Sequence, residues 1–189
     1  MTKLAQRIKK IPKGYFSLSD FKKISPLAEA SLKVAVARMV KNKELIKLGN
    51  KLYCLDITRI DLEKLATQIY YPSYLSFEWA LARHNILSQQ PMHLTLATPK
   101  RSKTICLNNK NIIYHHIKKD LFWGYKNESG ILIAEPEKAF LDLAYLSLNG
   151  YAKFDTEEMN LKLLDKNKLK EYLKKFKNKK IDKLLSEKN

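Results

Sequence analysis

The sequence predicts an α+β protein in two parts. Three short helices and a hairpin come first, then a small, mostly antiparallel sheet flanked by helices, with a helical C-terminal tail. Three observations point that way. Apolar residues recur at helical spacing through the first 41 residues and then give way to two short strand-like runs around Gly49-Asn50. The middle of the chain holds short alternating runs between turn residues, and its end is amphipathic and rich in lysine.

The first helix is LAQRIKKI, with Leu4, Ala5, Ile8 and Ile11 on one side and Pro12 and Gly14 to end it. A short second helix carries Phe21 and Ile24, with Ser19 as its expected N-cap, and Ser25-Pro26 interrupts it. The third helix runs to about Lys41, and Leu32, Ala35, Val36, Met39 and Val40 form its apolar stripe. ELIKLGNKLYCL then reads as a hairpin. These elements delimit a first domain, 1–56. Residues 57–73 form a helical connector, DLEKLATQIYY, capped by Asp61 and closed by Pro72. The second domain, 74–189, opens with a helix from Ser76. MHLTLAT and TICL follow as strands, and a turn at Asn108-Asn109 leads into NIIYHHI. LFWGYK and GILIA add two more strands before a helix with Pro136 in its first turn, where a missing N–H does no harm. Two or three amphipathic helices complete the tail, and no internal repeat is present.

Composition narrows the function classes. An apolar fraction of 45% supports a packed core rather than disorder. No apolar run approaches the ~18–20 residues of a membrane span, and the first ten residues lack the apolar core of a secretory signal. Cys54 and Cys106 sit far apart in unlike contexts, which fits a reducing cytoplasm. The net charge is +17, a field that attracts polyanions. Residues 1–55 carry +10 of it, residues 74–150 only +3, and residues 151–189 carry +5. Lysine bias (31 Lys against 5 Arg) accounts for the tail better than for the N-terminal concentration.

Three helices and a hairpin within 55 residues is the element order of a winged helix-turn-helix. The apolar stripe of the third helix would anchor it, leaving a face of small and basic residues for the major groove of duplex DNA. On that face Ser31, Lys33, Val34, Ala37 and Arg38 are the expected reading residues, with Lys41, Lys47 and Lys51 on phosphates. The bland alternative is a solvated basic face on an ordinary helix.

ASLKVAVARMVKNKELIKLGNKLYCL resembles the winged-helix segment of AbiEi-family antitoxins, the antitoxin halves of bacterial type IV, or abortive-infection, toxin–antitoxin loci. YLSFEWALARHNIL, HLTLATPKRSKTICLNNKNIIYHHI and LFWGYKNESGILIAEPEKAFLDLAYL are similar in order and spacing to that family's second domain, with IAEPEKAFLDL as the most characteristic marker. The resemblance covers about residues 1–150 and rests on the two-part combination more than on the winged helix alone. Asn42-Lys43 and Asn85 stand where similar proteins often have glycine, and asparagine is the next-best residue for a left-handed cap. The resemblance implies a cytoplasmic antitoxin that represses its own operon, binding promoter DNA that carries inverted repeats. It also implies a counterpart, a nucleotidyltransferase-like toxin encoded next door and countered without a tight complex.

Catalysis is not expected, and neither is a cofactor or a metal. Glu135, Glu137, Lys138 and Asp142 lack the carboxylate spacing of a metal-dependent nuclease, and Lys138 with Asp142 reads as an i, i+4 ion pair. Asp-x-Asp, P-loop and dinucleotide-binding patterns are missing from the sequence. His115 and His116 are consecutive on a strand and so face opposite ways, while His84 reads as a satisfied core histidine. The competing class is a general basic RNA- or DNA-binding module with no antitoxin role.

Overall fold

A computed structural model describes residues 3–11 and 13–186, so Met1, Thr2, Pro12 and the last three residues lie outside the described residues. The chain packs as two compact units, Met1–Leu62 with Ile105–Asn109, and Glu63–Thr104 with Lys110–Asn189. Both are mixtures of helix and sheet.

In the first unit the order is α1 (Lys3–Lys9), β1 (Tyr15–Ser17), α2 (Leu18–Ile24), α3 (Glu29–Lys41), β2 (Ile46–Gly49) and β3 (Leu52–Cys54). Ala5, Ile8, Phe16, Phe21, Leu32, Val36, Met39 and Leu45 form its core. The strands make an antiparallel sheet in the order β1-β3-β2. Sequence periodicity does not reveal β1, because three residues are too few to show alternation. Its Phe16 is nevertheless buried, opposite Tyr53 of β3.

Three local details differ from expectation. Helix α2 is capped by Ser17, not Ser19: the Ser17 hydroxyl accepts from the Asp20 N–H, and the Asp20 carboxylate accepts from the Ser17 N–H at 2.8 Å. Only a residue three positions before Asp20 can make this reciprocal box. At the end of α3 the left-handed residue is Lys43 (φ 57°), while Asn42 stays near φ −81°. The loop of the β2–β3 hairpin is Asn50-Lys51, one position later than expected, and both residues have positive φ. That is the pattern of a two-residue turn matched to strand twist. Gly49 instead sits at an irregularity in the pairing of β2 with β3, which shifts between Lys47 and Gly49.

The second unit takes in most of α4 (Leu62–Ile69), then β4 (Tyr74–Leu75), α5 (Phe77–Arg83), β5 (Leu94–Thr98), the start of β6 (Lys103–Leu107), whose last three residues belong to the first unit, β7 (Lys110–His116), β8 (Tyr125–Glu128), β9 (Ile131–Ala134), α6 (Pro136–Leu148), α7 (Lys166–Phe176) and α8 (Lys179–Ser186). The six strands run β6-β7-β5-β4-β9-β8. The sheet is mixed rather than mostly antiparallel: β4 with β5 and β8 with β9 are antiparallel, whereas β5 with β7 and β4 with β9 are parallel. The order explains this. Each of the β6–β7 and β8–β9 pairs turns its second strand toward the sheet centre, alongside a strand that already runs the same way.

Every residue of β5 is buried, so its alternation of threonine and aliphatic residues does not mark a wet face. Thr95 and Thr98 satisfy their hydroxyls on the carbonyls of Ser76 (2.9 Å) and Pro72 (2.8 Å). Helix α6 is buried along most of its length, including Glu137, Lys138 and Asp142. The segment LFW is not strand. Lys119–Leu121 forms a single 3₁₀ turn, and β8 begins after Gly124. Phe77 is fully buried at φ 58°, a left-handed conformation that costs a bulky residue of order 1–3 kcal/mol and is held here by packing.

Candidate nucleic-acid interface

Helix α3 owes its orientation to Leu32, Val36 and Met39, all buried in the first unit's core. At 100° per residue, Ser31, Val34, Arg38 and Lys41 fall within an arc of roughly 80° on the opposite side. All four are exposed, and Val34 keeps 52% of its surface in water amid polar neighbours. Lys33 and Ala37 lie on the flank of that arc. There they line a groove of about 380 Å³ whose other wall carries Lys47, Lys51 and Tyr53. Leu18, Val36 and Val40 also line it.

The structure thus brings Lys33, Ala37, Lys47 and Lys51 together around one groove. Ser31, Val34, Arg38 and Lys41 lie on the neighbouring outer face of α3 rather than in the groove lining. Sequence reasoning missed Tyr53, whose alternation on β3 could have placed it beside the wing lysines. It also missed Glu29, one helical turn before Lys33. The Glu29 carboxylate pairs with Lys33 at 2.7 Å and with Lys22 at 3.6 Å, and those two ammonium groups, Lys33 first, hold its carboxyl below the ordinary value. Both partners of the Glu29–Lys33 pair are exposed, so a phosphate can take Lys33 over at little cost.

Other basic residues of this unit have structural work. The Arg7 guanidinium donates to the Ile24 carbonyl (2.8 Å) and ties α1 to the end of α2. Lys13 pairs with Asp20 at 3.0 Å and lies over the Tyr15 ring. Partial burial raises the Asp20 carboxyl, but hydrogen bonds from Ser17 and the contact with Lys13 outweigh it and bring it down to about 2. The hairpin itself is pinned: the Asn108 N–H donates to the Leu48 carbonyl (2.8 Å), and a Cβ on Gly49 would come within 2.4 Å of the Cys106 carbonyl oxygen. Gly49 also has φ +111°, so no other residue fits without displacement.

In the second unit the acidic and basic residues around the start of α6 form a closed structural cluster. Lys138 and Asp142 are fully buried and paired. Asp142 also accepts from the Tyr74 hydroxyl (2.9 Å) and the Ser76 hydroxyl (2.8 Å), and Lys138 donates to the Tyr74 oxygen (2.9 Å). Burial pushes the Asp142 carboxyl up and the Lys138 ammonium down, each opposed by the other's charge. Glu135 and Glu137 point elsewhere. Glu135 holds Lys168 (2.8 Å) and Tyr172, while Glu137 accepts from the Asp165 N–H (2.9 Å). Among the described residues no group of three or more His, Cys, Asp and Glu side chains is placed to hold a metal ion. His84 is half-buried with its Nε2 against the Ala134 carbonyl (2.8 Å). His115 packs edge-on against Phe77, while exposed His116 meets the Lys100 carbonyl.

No model of a known protein family matches the chain, and no curated protein matches it significantly.

Proposed function

We propose that this protein is a DNA-binding antitoxin and transcriptional autorepressor of a type IV toxin–antitoxin operon. In this reading the first unit is a winged helix-turn-helix that grips promoter DNA, and the second supports the countering of a nucleotidyltransferase-like toxin. The observation that carries the DNA-binding half is the groove. A helix anchored by one apolar stripe turns small and basic residues outward, and a pinned hairpin sets Lys47 and Lys51 beside Lys33 and Ala37. The concentration of positive charge in residues 1–55 supports it. The antitoxin half rests on the resemblance of both parts, in order, to AbiEi-family antitoxins.

The outer face of α3 supplies base readers and the groove supplies phosphate contacts. Arg38 is the candidate for a guanine edge and exposed Val34 for a thymine methyl. Titration against DNA from upstream of its own gene, by fluorescence anisotropy at fixed salt, tests this. Arg38→Ala is expected to cost on the order of 1–3 kcal/mol, while Lys47→Ala and Lys51→Ala each lower the salt slope by about 1. Equal affinity of Arg38→Ala and the parent would remove Arg38 from base reading. The neutralising role is tested by expressing a nucleotidyltransferase-like neighbour with and without this chain. A growth defect left unrelieved would end the antitoxin reading.

One observation favours the second reading, a general basic nucleic-acid binder: the tail beyond residue 150 carries +5 without belonging to the groove. That reading requires unrelated RNA and DNA to bind as well as promoter DNA at matched salt. A marked preference for an inverted repeat excludes it.

A further inference from the structure

The second unit carries a pocket of about 440 Å³ bounded by α6, the 3₁₀ turn Leu161–Leu163, α7 and α8. Its lining is apolar. Phe140 and Leu164 are buried at its floor, and Leu169, Leu173 and Leu185 stand half-buried around them. Thr156 adds a neutral hydroxyl, and no acidic side chain lines it. The volume lies in the lower part of the small-molecule range. It suits one aliphatic chain rather than a helix, whose diameter with side chains is about 10–12 Å.

The sequence of α7 builds one wall. Asp165 caps the helix, accepting from the N–H groups of Asn167 (2.8 Å) and Lys168 (3.1 Å). At 100° per residue, three strips run side by side along it. Lys168, Tyr172 and Phe176 form the strip that packs: Lys168 and Tyr172 both bond the Glu135 carboxylate, and Phe176 is buried. Leu169 and Leu173 come next, over the pocket. Lys166 and Lys170 follow, one turn (about 6 Å of rise) apart, and also line it. Both lysines are exposed, and among the described residues neither ammonium group has an ion-pair or hydrogen-bond partner. A lysine stem lying on apolar surface keeps its charged head at the water edge.

We propose that this pocket binds a free medium-chain fatty carboxylate, with its aliphatic chain against Phe140, Leu164, Leu169 and Leu173 and its carboxylate at Lys166 and Lys170. Two uncompensated cations one turn apart, beside a half-exposed leucine surface, complement a ligand with an apolar tail and an anionic head. The volume limits the ligand to a single chain and argues against a two-chain lipid. The site lies wholly within the second unit, separate from the α3 groove, and does not depend on the DNA-binding reading.

Isothermal titration of the full-length protein with octanoate, 1-octanol, acetate and vesicles of anionic phospholipid tests the assignment. Saturable one-to-one binding of octanoate is expected, at least about tenfold tighter than acetate, which lacks the tail, or 1-octanol, which lacks the charge. The double variant Lys166→Gln/Lys170→Gln should weaken octanoate about tenfold and leave 1-octanol unchanged, with circular dichroism and thermal unfolding like the parent's. Leu173→Gln should weaken both ligands. Lys118→Gln/Lys119→Gln removes the same charge from exposed lysines outside the lining and should bind octanoate like the parent. The proposal is overturned if 1-octanol or acetate binds as tightly as octanoate, or if the folded Lys166/Lys170 variant binds like the parent. It is also overturned if the Lys118/Lys119 variant weakens binding equally, or if vesicles bind and free octanoate does not.

Discussion

Replacing Asp142 by leucine is expected to be the most damaging single change in the second unit. The carboxylate has no exposure and serves three partners: the Lys138 ammonium and the hydroxyls of Tyr74 and Ser76. Without it, Lys138 is a cation in a site walled by the rings of Tyr74, Trp123 and Phe176, with Nζ 5.1–5.5 Å from their centroids. Lys138 can escape by losing its proton. From an ordinary value of 10.5, that costs about 5 kcal/mol at pH 7, at about 1.4 kcal/mol per pH unit. The surrounding rings recover part of this, and the two stranded hydroxyls add to it. A loss of about 3–5 kcal/mol follows, as for other broken buried pairs. Urea denaturation followed by tryptophan fluorescence reads it directly, since the Trp123 ring lies over Lys138. Lys138→Met should recover about 2 kcal/mol when combined with Asp142→Leu, because the uncompensated charge leaves with it. A loss below about 1 kcal/mol for Asp142→Leu, or a double variant no more stable than the single, would refute this account of the cluster.

Three other outcomes follow from the first unit. Lys43→Gly should raise stability by about 1 kcal/mol in the same assay, since Lys43 is exposed and left-handed at the end of α3. Gly49→Ala should destabilise by more than about 1 kcal/mol, because the added Cβ meets the Cys106 carbonyl at positive φ, and under the proposed function it should also weaken DNA binding by displacing the hairpin. The Asp20 carboxyl has a folded value of about 2 against 3.8 unfolded, so its ionised form stabilises the fold above pH 3.8. That contribution is lost as the pH falls toward 2. Solvent around the carboxylate limits it to about 1 kcal/mol. Asp20→Asn should therefore flatten the acid limb of a stability–pH curve by that amount, and an unchanged slope would count against the capping box.

What could be read from the sequence, and what could not, follows the range of each interaction. The α3 stripe, the Asn108-Asn109 turn, Pro136 in the first turn of α6 and the Lys138–Asp142 pair all depend on neighbours within four residues, and each shows in the sequence as a spacing. Strand partners do not. Whether β7 or β6 lies beside β5 is decided by burial on both faces of the sheet, and no local pattern in TICL or NIIYHHI states it, so the sheet's mixed character stayed hidden. Burial of a charge is likewise non-local. Lys138 with Asp142 looks like a surface helix pair until Tyr74 and Ser76, more than 60 residues earlier, are brought against it. The same limit applies to the interface. Periodicity puts Lys33 and Ala37 on a flank of α3 and Arg38 farther round the helix, but it does not show which side the hairpin faces. The position of the hairpin makes that flank the wall of a groove and leaves the other face open. The division has a functional consequence. Under the proposed DNA-binding role, residues on the groove flank should govern salt dependence, and those on the open face should govern sequence preference. Variants at Lys33 and Arg38 should therefore differ in kind as well as in size.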